Sequence, residues 1–169
     1  MELRDEDFEN LVPEDPPILL PPGLYPARVL RQDAEQFRSS SGPYEKIVLT
    51  CQIFTRPDLT DNVALNAYYS FERGGGGRFH FGKRCNYRRD WIAANDGRLP
   101  SRRTSLPRTA WEGLKIVEVV TVTRDGDGKA LHPSNYYSKI YRFIRPVEDG
   151  ETFPTLPLQP PGNTYESHS

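Results

Sequence analysis

The fold is decided by residues 44–54, which read YEKIVLTCQIF. Four apolar side chains alternate with polar ones along this stretch: Ile47, Leu49, Cys51 and Ile53. A period of two is typical of a β-strand with one buried face. Residues 44–54 are therefore predicted to form a half-buried strand, in which Cys51 is a buried, inert thiol.

Four more strands and one helix are predicted on either side of this stretch. The strands are expected at residues 23–31, 63–71, 114–123 and 136–144, and a short helix at 85–95 places Tyr87, Trp91 and Ala94 on one face. Residues 32–43 are rich in serine and charge and are predicted to be a loop.

This order of elements indicates a fold class. Three strands, a helix and two strands follow one another as in the OB-fold. The chain is therefore predicted to be mainly β, an OB-like five-stranded, partly open barrel with one short helix between strands 3 and 4.

Charge and hydrophobicity are distributed unevenly along the chain. The net charge of −1 combines −6 in residues 1–20, +9 in 21–147 and −4 in 148–169. Both ends are also rich in proline, which favours neither helix nor sheet. The sequence thus predicts a disordered acidic tail at 1–21, an OB-like domain at 22–147 and a disordered Pro-rich tail at 148–169.

The predicted cellular compartment follows from three features that the sequence does not show. The two cysteines cannot form a disulfide framework, no run of about 18 apolar residues is present, and the acidic N-terminus has no apolar signal region. A cytoplasmic protein without a membrane partner is expected.

Residues 73–108 carry the strongest chemical signal. They contain ten bases, nine of them arginine, against Asp90 and Asp96, a net charge of +8. Arginine pairs with phosphate bidentately, and interleaved aromatic rings stack on bases. The segment predicts a nucleic-acid-binding groove; the alternative is a solvated basic face. The candidate binding residues are the cations Arg73, Arg78, Lys83, Arg84, Arg88, Arg89, Arg102 and Arg103 and the rings Tyr68, Phe79 and Tyr136.

Signals for catalysis or metal binding are weak. The run GRFHFGKR at 77–84 has the glycine and lysine spacing of a P-loop, but Arg84 stands where Ser or Thr must ligate Mg²⁺. No serine elbow or Cys–His signature occurs, and His80 and Cys85 lack a second pair of zinc ligands. The chain is predicted not to be an enzyme and to have no catalytic residue, metal or cofactor.

Several stretches resemble phage and mobile-element proteins that are similar to single-strand-binding proteins. They are PGLYPARV at 22–29, residues 44–54, WEGLKIV at 111–117 and NYYSKI at 135–140. The resemblance covers residues 22–146 and implies an OB-fold and a role in DNA replication or recombination. Bacterial single-strand-binding proteins end in an acidic Asp-Phe-Pro-Phe-like tip; residues 148–154 are similar to it, but fifteen residues follow.

These observations together predict binding of single-stranded nucleic acid, with DNA favoured over RNA by the resemblance. The alternative is a protein–protein adaptor or inhibitor of a mobile element, whose basic loop binds an acidic host protein. Docking of a replication or recombination protein on the acidic tails stays open, as does a homo-oligomer.

Overall fold

The computed structural model describes residues 18–39, 42–70, 72–73, 79–80, 85–101 and 106–158. For Ser39 and for the pairs 72–73 and 79–80 it describes the backbone alone. The strands are β1 (Gly23–Ser39), β2 (Gly42–Phe54), β3 (Asn62–Ser70), β4 (Glu72–Arg73), β5 (Phe79–His80), β6 (Leu114–Val122) and β7 (Tyr137–Pro146). One α-helix, α1 (Asn86–Ala94), and the 3₁₀ turns Arg108–Trp111 and Pro133–Asn135 complete the described elements.

Five strands form one antiparallel sheet in the order β3-β2-β1-β6-β7. β3 and β7, the two outer strands of this order, approach each other without forming a ladder among the described residues. With α1 between β3 and β6, this is the open OB-like barrel that the order of elements predicts. The fold class is therefore confirmed.

The core lies on the face of β2 that the period of two indicates. Ile47, Leu49, Cys51 and Ile53 are buried, and the register sets Leu49 opposite Ala67 of β3. Burial raises the pKa of the Cys51 thiol to about 12, so it stays protonated, as expected of an inert thiol. From α1, Tyr87, Trp91 and Ala94 pack into the same core, which confirms the predicted helical face.

The prediction of a loop at 32–43 is wrong. β1 continues through these residues to Ser39, and its ladder with β2 runs to the pair Ser39 and Gly42. A β-bulge at Leu30 shifts the register, because Val29 pairs with Cys51 and Arg31 with Thr50. The outer part of this hairpin is largely exposed, so its polar composition is compatible with strand and gives no alternating apolar pattern.

The prediction of a disordered tail from residue 148 is also wrong, as far as residue 158. Phe153 is 7% exposed and packs with Leu24 and Ile116 in a second, smaller core. Leu158 exchanges backbone hydrogen bonds of 3.2 and 2.8 Å with Leu24. Since it is buried, Phe153 is not presented to a partner as the tip of an acidic tail would be.

An ion pair fastens this C-terminal segment, residues 147–158, to the sheet. Arg145 donates two hydrogen bonds of 2.7 and 2.8 Å to the Glu151 carboxylate, which lowers the pKa of Glu151 to about 2. At the other end, the order begins before residue 22, because Ser138 N–H donates to the Ile18 carbonyl at 2.9 Å. The predicted disorder of 1–17 and 159–169 lies outside the described residues.

None of the helices in the described part of the chain has the length and apolar character needed to cross a membrane.

Candidate nucleic-acid interface

The structure describes the side chains of only part of the predicted site. Arg78, Lys83, Arg84, Arg102 and Arg103 lie outside the described residues. Arg73 and Phe79 pair with each other in the β4–β5 ladder, where only the backbone is described. The remaining four candidates, with described side chains, are Tyr68, Arg88, Arg89 and Tyr136.

Tyr68 lies on the sheet face opposite the core. It is 45% exposed and stands across from Val48 of β2, whereas its neighbour Tyr69 is buried. On the same outward face, the register sets Phe37 of β1 directly opposite Tyr44 of β2. Residues on this face alternate with the buried positions Ile47 and Leu49, so the pleat of β2 places its rings outward.

Three rings and one lysine form a cluster on this face, which we call the aromatic platform: Phe37, Tyr44, Tyr68 and Lys46. The Phe37 and Tyr44 rings stack with centroids 5.6 Å apart, and the Tyr68 ring meets Phe37 edge-on at 6.2 Å. Tyr44 is 38% exposed. The platform is therefore a preformed set of rings, at least two of which present much of their surface to solvent.

Lys46 supplies the positive charge of the aromatic platform. Its Nζ lies 5.6, 5.4 and 5.9 Å from the ring centroids of Phe37, Tyr44 and Tyr68. Cation–π attraction of this kind is worth about 0.5–1 kcal/mol at exposed sites. Within the described part of the chain, Lys46 forms no ion pair shorter than 4.0 Å, although Glu35 stands opposite it in the β1 ladder. The described contacts of the ammonium are therefore with the three rings.

The arginine-rich segment leaves the sheet beside the aromatic platform. Ser70, the last residue of β3, pairs with Lys46, and β4 begins two residues later at Glu72. The short β4–β5 ladder thus starts the basic segment at the platform end of β3. Of its cations, Arg73 is the one whose described backbone lies next to the end of β3.

Arg89 has a structural partner that charge counting does not reveal. Its Nε donates to Asp90 Oδ1 at 2.9 Å, and Asp90 is fully buried. The other carboxylate oxygen of Asp90 accepts a hydrogen bond of 2.7 Å from the Tyr69 hydroxyl. Desolvation raises the pKa of Asp90 despite these partners, and burial beside Asp90 raises the pKa of Tyr69 well above its usual range. Arg89 therefore has a structural role, because part of its guanidinium group pairs with a buried carboxylate.

Arg88 and Tyr136 stand apart from the aromatic platform. Arg88 is half-buried on α1, beside Arg89. Tyr136 is a half-buried residue that follows the 3₁₀ turn Pro133–Asn135 in the β6–β7 connection. None of the described side-chain contacts joins either residue to the platform, so the structure brings together one predicted ring, Tyr68, with residues that the sequence did not indicate.

Three residues of the aromatic platform were not among the predicted binding residues: Phe37, Tyr44 and Lys46. Phe37 fell within the wrongly predicted loop, so its pairing with Tyr44 was not visible. Tyr44 and Lys46 alternate with the apolar positions of β2, and this alternation already placed them on the outer face. The alternation in β2 was therefore a usable signal for Tyr44 and Lys46. No comparable signal showed that β1 is long enough to include Phe37.

The sequence matches no model of a known protein family and no curated protein.

Proposed function

We propose that this protein binds single-stranded nucleic acid, DNA in the first place, with the aromatic platform as its base-stacking surface. The single observation that carries the proposal is the cluster of Phe37, Tyr44 and Tyr68 around Lys46 on the outer face of the sheet. A role in replication or recombination of a phage or other mobile element is part of the proposal and rests on the resemblance of residues 22–146. The proposed cytoplasmic location rests instead on the two cysteines, which are too few for a disulfide framework.

The position of the aromatic platform within the fold supports this function. OB-folds that bind oligonucleotides use the face of strands 2 and 3 and the loop between strands 1 and 2. Tyr44 and Tyr68 lie on β2 and β3, and Phe37 lies near the end of the β1–β2 hairpin. The platform thus occupies the part of an OB-like barrel where such ligands bind.

The chemistry of the aromatic platform favours a single strand over a duplex. A base stacked on an aromatic ring contributes about 1–3 kcal/mol, and every base offers a face for stacking. The bases of a duplex already stack on one another, so their faces are not accessible to Tyr44 or Tyr68. Lys46 lies where it can neutralise the phosphate beside a stacked base.

The basic segment adds the sequence-independent part of the binding. Residues 73–108 carry a net charge of +8, and their first residues follow the platform end of β3. Contacts from lysine and arginine to phosphates release counterions, which makes the affinity depend on salt. We assign the phosphate contacts of the proposal to Arg73, Arg78, Lys83, Arg84, Arg88, Arg102 and Arg103, together with Lys46.

Fluorescence anisotropy with labelled oligonucleotides tests the proposal. We expect oligothymidylate, and more weakly a duplex of equal length, to bind the full chain, and the double variant Tyr44→Ala/Tyr68→Ala to lose about 10- to 100-fold in affinity for the single strand. The control is Tyr137→Ala, because Tyr137 is also an exposed β-strand tyrosine but lies off the platform. Oligouridylate measured alongside shows whether DNA is preferred.

Two results would contradict the proposal. One is unchanged single-strand affinity in the double variant; the other is equal affinity for the duplex and the single strand. If no nucleic acid binds at low salt, the adaptor function, in which the basic segment binds an acidic protein, becomes the better hypothesis.

A further inference from the structure

A further exposed ring, Tyr141, projects from β7, the strand across the barrel opening from β3. Tyr141 is 53% exposed and is the extra residue of a β-bulge, because Glu118 pairs with Arg142 whereas Val119 pairs with Ile140. A bulge interrupts the regular alternation of a strand and re-aims a side chain, and bulges are common next to functional sites. Because Ile140 and Phe143 on either side are buried, the bulge leaves two consecutive residues, Tyr141 and Arg142, exposed on β7.

Arg89 holds Tyr141 from the neighbouring helix α1. The Arg89 guanidinium carbon lies 5.9 Å from the Tyr141 ring centroid, and Nη2 donates to the Tyr141 carbonyl at 3.3 Å. The third contact of the guanidinium is the bond from Nε to Asp90 Oδ1. One cation thus contacts both the backbone and the ring of Tyr141. These contacts hold Tyr141 in place in the protein without a ligand.

Asp90 in turn fixes Arg89 and connects it to β3, the strand that carries Tyr68. It is fully buried and accepts a hydrogen bond from Tyr69, the chain neighbour of Tyr68. Well-packed apolar side chains usually serve stability as well as a buried ion pair does. What the Arg89–Asp90 pair adds is a cation held beside the exposed Tyr141 ring. Through the bond from Tyr69 to Asp90, this cation is also connected to β3, the strand that carries Tyr68.

We propose that Tyr141 is a second base-stacking subsite, that Arg89 is its positioning residue, and that a single strand bound at the aromatic platform continues across the β3–β7 opening to Tyr141. This inference rests on the proposed function, since it extends the path of the same ligand. The ligand group at Tyr141 is the face of a nucleobase. Arg89 acts through the ring that it holds.

A length series of oligothymidylates tests this subsite. Fluorescein-labelled strands of about 4 to 16 nucleotides cover the site sizes of single OB-folds. In anisotropy titrations with the full chain, the affinity of the wild type should rise at the length that reaches Tyr141. The Tyr141→Ala variant should lose that rise, binding the longest strands about 5- to 100-fold more weakly while binding the shortest strands as the wild type does.

Three variants serve as controls and as a test of positioning. Tyr141→Phe keeps the ring and should follow the wild type at all lengths, as should Tyr137→Ala on the same strand. Arg89→Lys keeps the charge but loses the planar fork that reaches Asp90 and Tyr141, so it should weaken only the longer strands. Retained short-strand affinity in this variant separates positioning from a general loss of structure; should the variant not fold, the Tyr141 series still decides.

The inference is overturned if Tyr141→Ala matches the wild type at every length, or if it weakens short and long strands equally. Failure of the proposed function has a different signature. In that case Tyr44→Ala/Tyr68→Ala leaves the affinity of the shortest strands unchanged, whatever Tyr141→Ala does to the longer ones.

Discussion

Tyr68 and Tyr69 show how one strand places the same residue type both on the surface and in the core. Tyr68 is exposed beside Phe37 and Lys46, with its hydroxyl within 3.2 Å of Asn66 Nδ2, which donates to it. Tyr69 is buried, and its hydroxyl donates to the carboxylate of Asp90. The difference is dictated by the period of two in β3, so neighbouring substitutions should act on different properties.

Removing the buried hydroxyl should lower stability without removing any platform ring. The Tyr69→Phe variant loses a hydrogen bond to a buried carboxylate, so we expect the free energy of unfolding to fall by about 1.5–3 kcal/mol. The matched control is Tyr68→Phe, one residue away, which removes an exposed hydroxyl and should change stability by less than about 0.5 kcal/mol. Urea denaturation measures both; equal midpoints for Tyr69→Phe and the wild type would show that the Asp90 contact is not stabilising.

Glu151 should make the attachment of the C-terminal segment depend on pH. Its hydrogen bonds from Arg145 lower its pKa from 4.5 to about 2. A carboxyl group with a lowered folded-state pKa stabilises the fold above its unfolded pKa, and this contribution disappears as the pH falls from about 5 to about 2. The Glu151→Gln variant should therefore be less stable than the wild type at pH 7 and approach it at pH 3.

Denaturant midpoints at pH 7, 5, 4 and 3 measure this convergence. Glu148→Gln removes an exposed carboxylate from the same turn and serves as the control, for which the difference from wild type should be small throughout. A difference between Glu151→Gln and wild type that stays constant over the whole range would contradict the role assigned to the ion pair.

At the scale of elements, the sequence predicts best what has a regular pattern. The alternation in residues 44–54 predicts β2 and its buried face, and the spacing of Tyr87, Trp91 and Ala94 predicts α1. The outer half of β1 escaped prediction because both of its faces are largely solvated, so Gln32 to Arg38 show no apolar period. Phe37 was not predicted as a site residue for the same reason. Its position opposite Tyr44 is set by the register of the β1–β2 ladder, which no local sequence pattern shows.

The C-terminal segment escaped prediction on different grounds. Residues 147–158 have no periodic pattern and are held by separate contacts: Phe153 in the second core, Glu151 with Arg145, and Leu158 with Leu24. A proline-rich composition therefore did not indicate disorder here. The same limit applies to Arg89, since a count of cations does not show that the buried neighbour Asp90 binds it.

Two truncations should reveal where the folded unit ends. Ending the chain at residue 158 keeps all these contacts, so stability should stay within about 0.5 kcal/mol of the full chain. Ending it at 147 removes Phe153 and exposes Leu24 and Ile116, which should cost at least about 2–4 kcal/mol, as for a large buried side chain. Thermal or urea unfolding of both proteins decides; equal stability would mean that residues 148–158 do not contribute to the fold.

For the whole molecule, the OB-like barrel places the aromatic platform at the end of β3 where the basic segment begins. The aromatic platform lies on the outer face of β1, β2 and β3, and the basic segment begins where β3 ends. The described part of the hairpin face has no marked basic excess, because Asp33 and Glu35 offset Arg31 and Lys46. In the proposed function, stacking and charge thus come from different parts of the chain, and a salt titration can separate them experimentally.

A salt titration of oligothymidylate binding to the wild type and to Tyr44→Ala/Tyr68→Ala separates these contributions. Phosphate contacts determine the slope of log affinity against log salt, and affinity should fall about 100-fold between 50 and 200 mM for five contacts to a single strand. Stacking depends little on salt. The two proteins should therefore give parallel lines, with the variant about 10- to 100-fold weaker at every salt concentration. Superimposed lines would contradict binding through the aromatic platform, and a flat wild-type line would contradict binding through the basic segment.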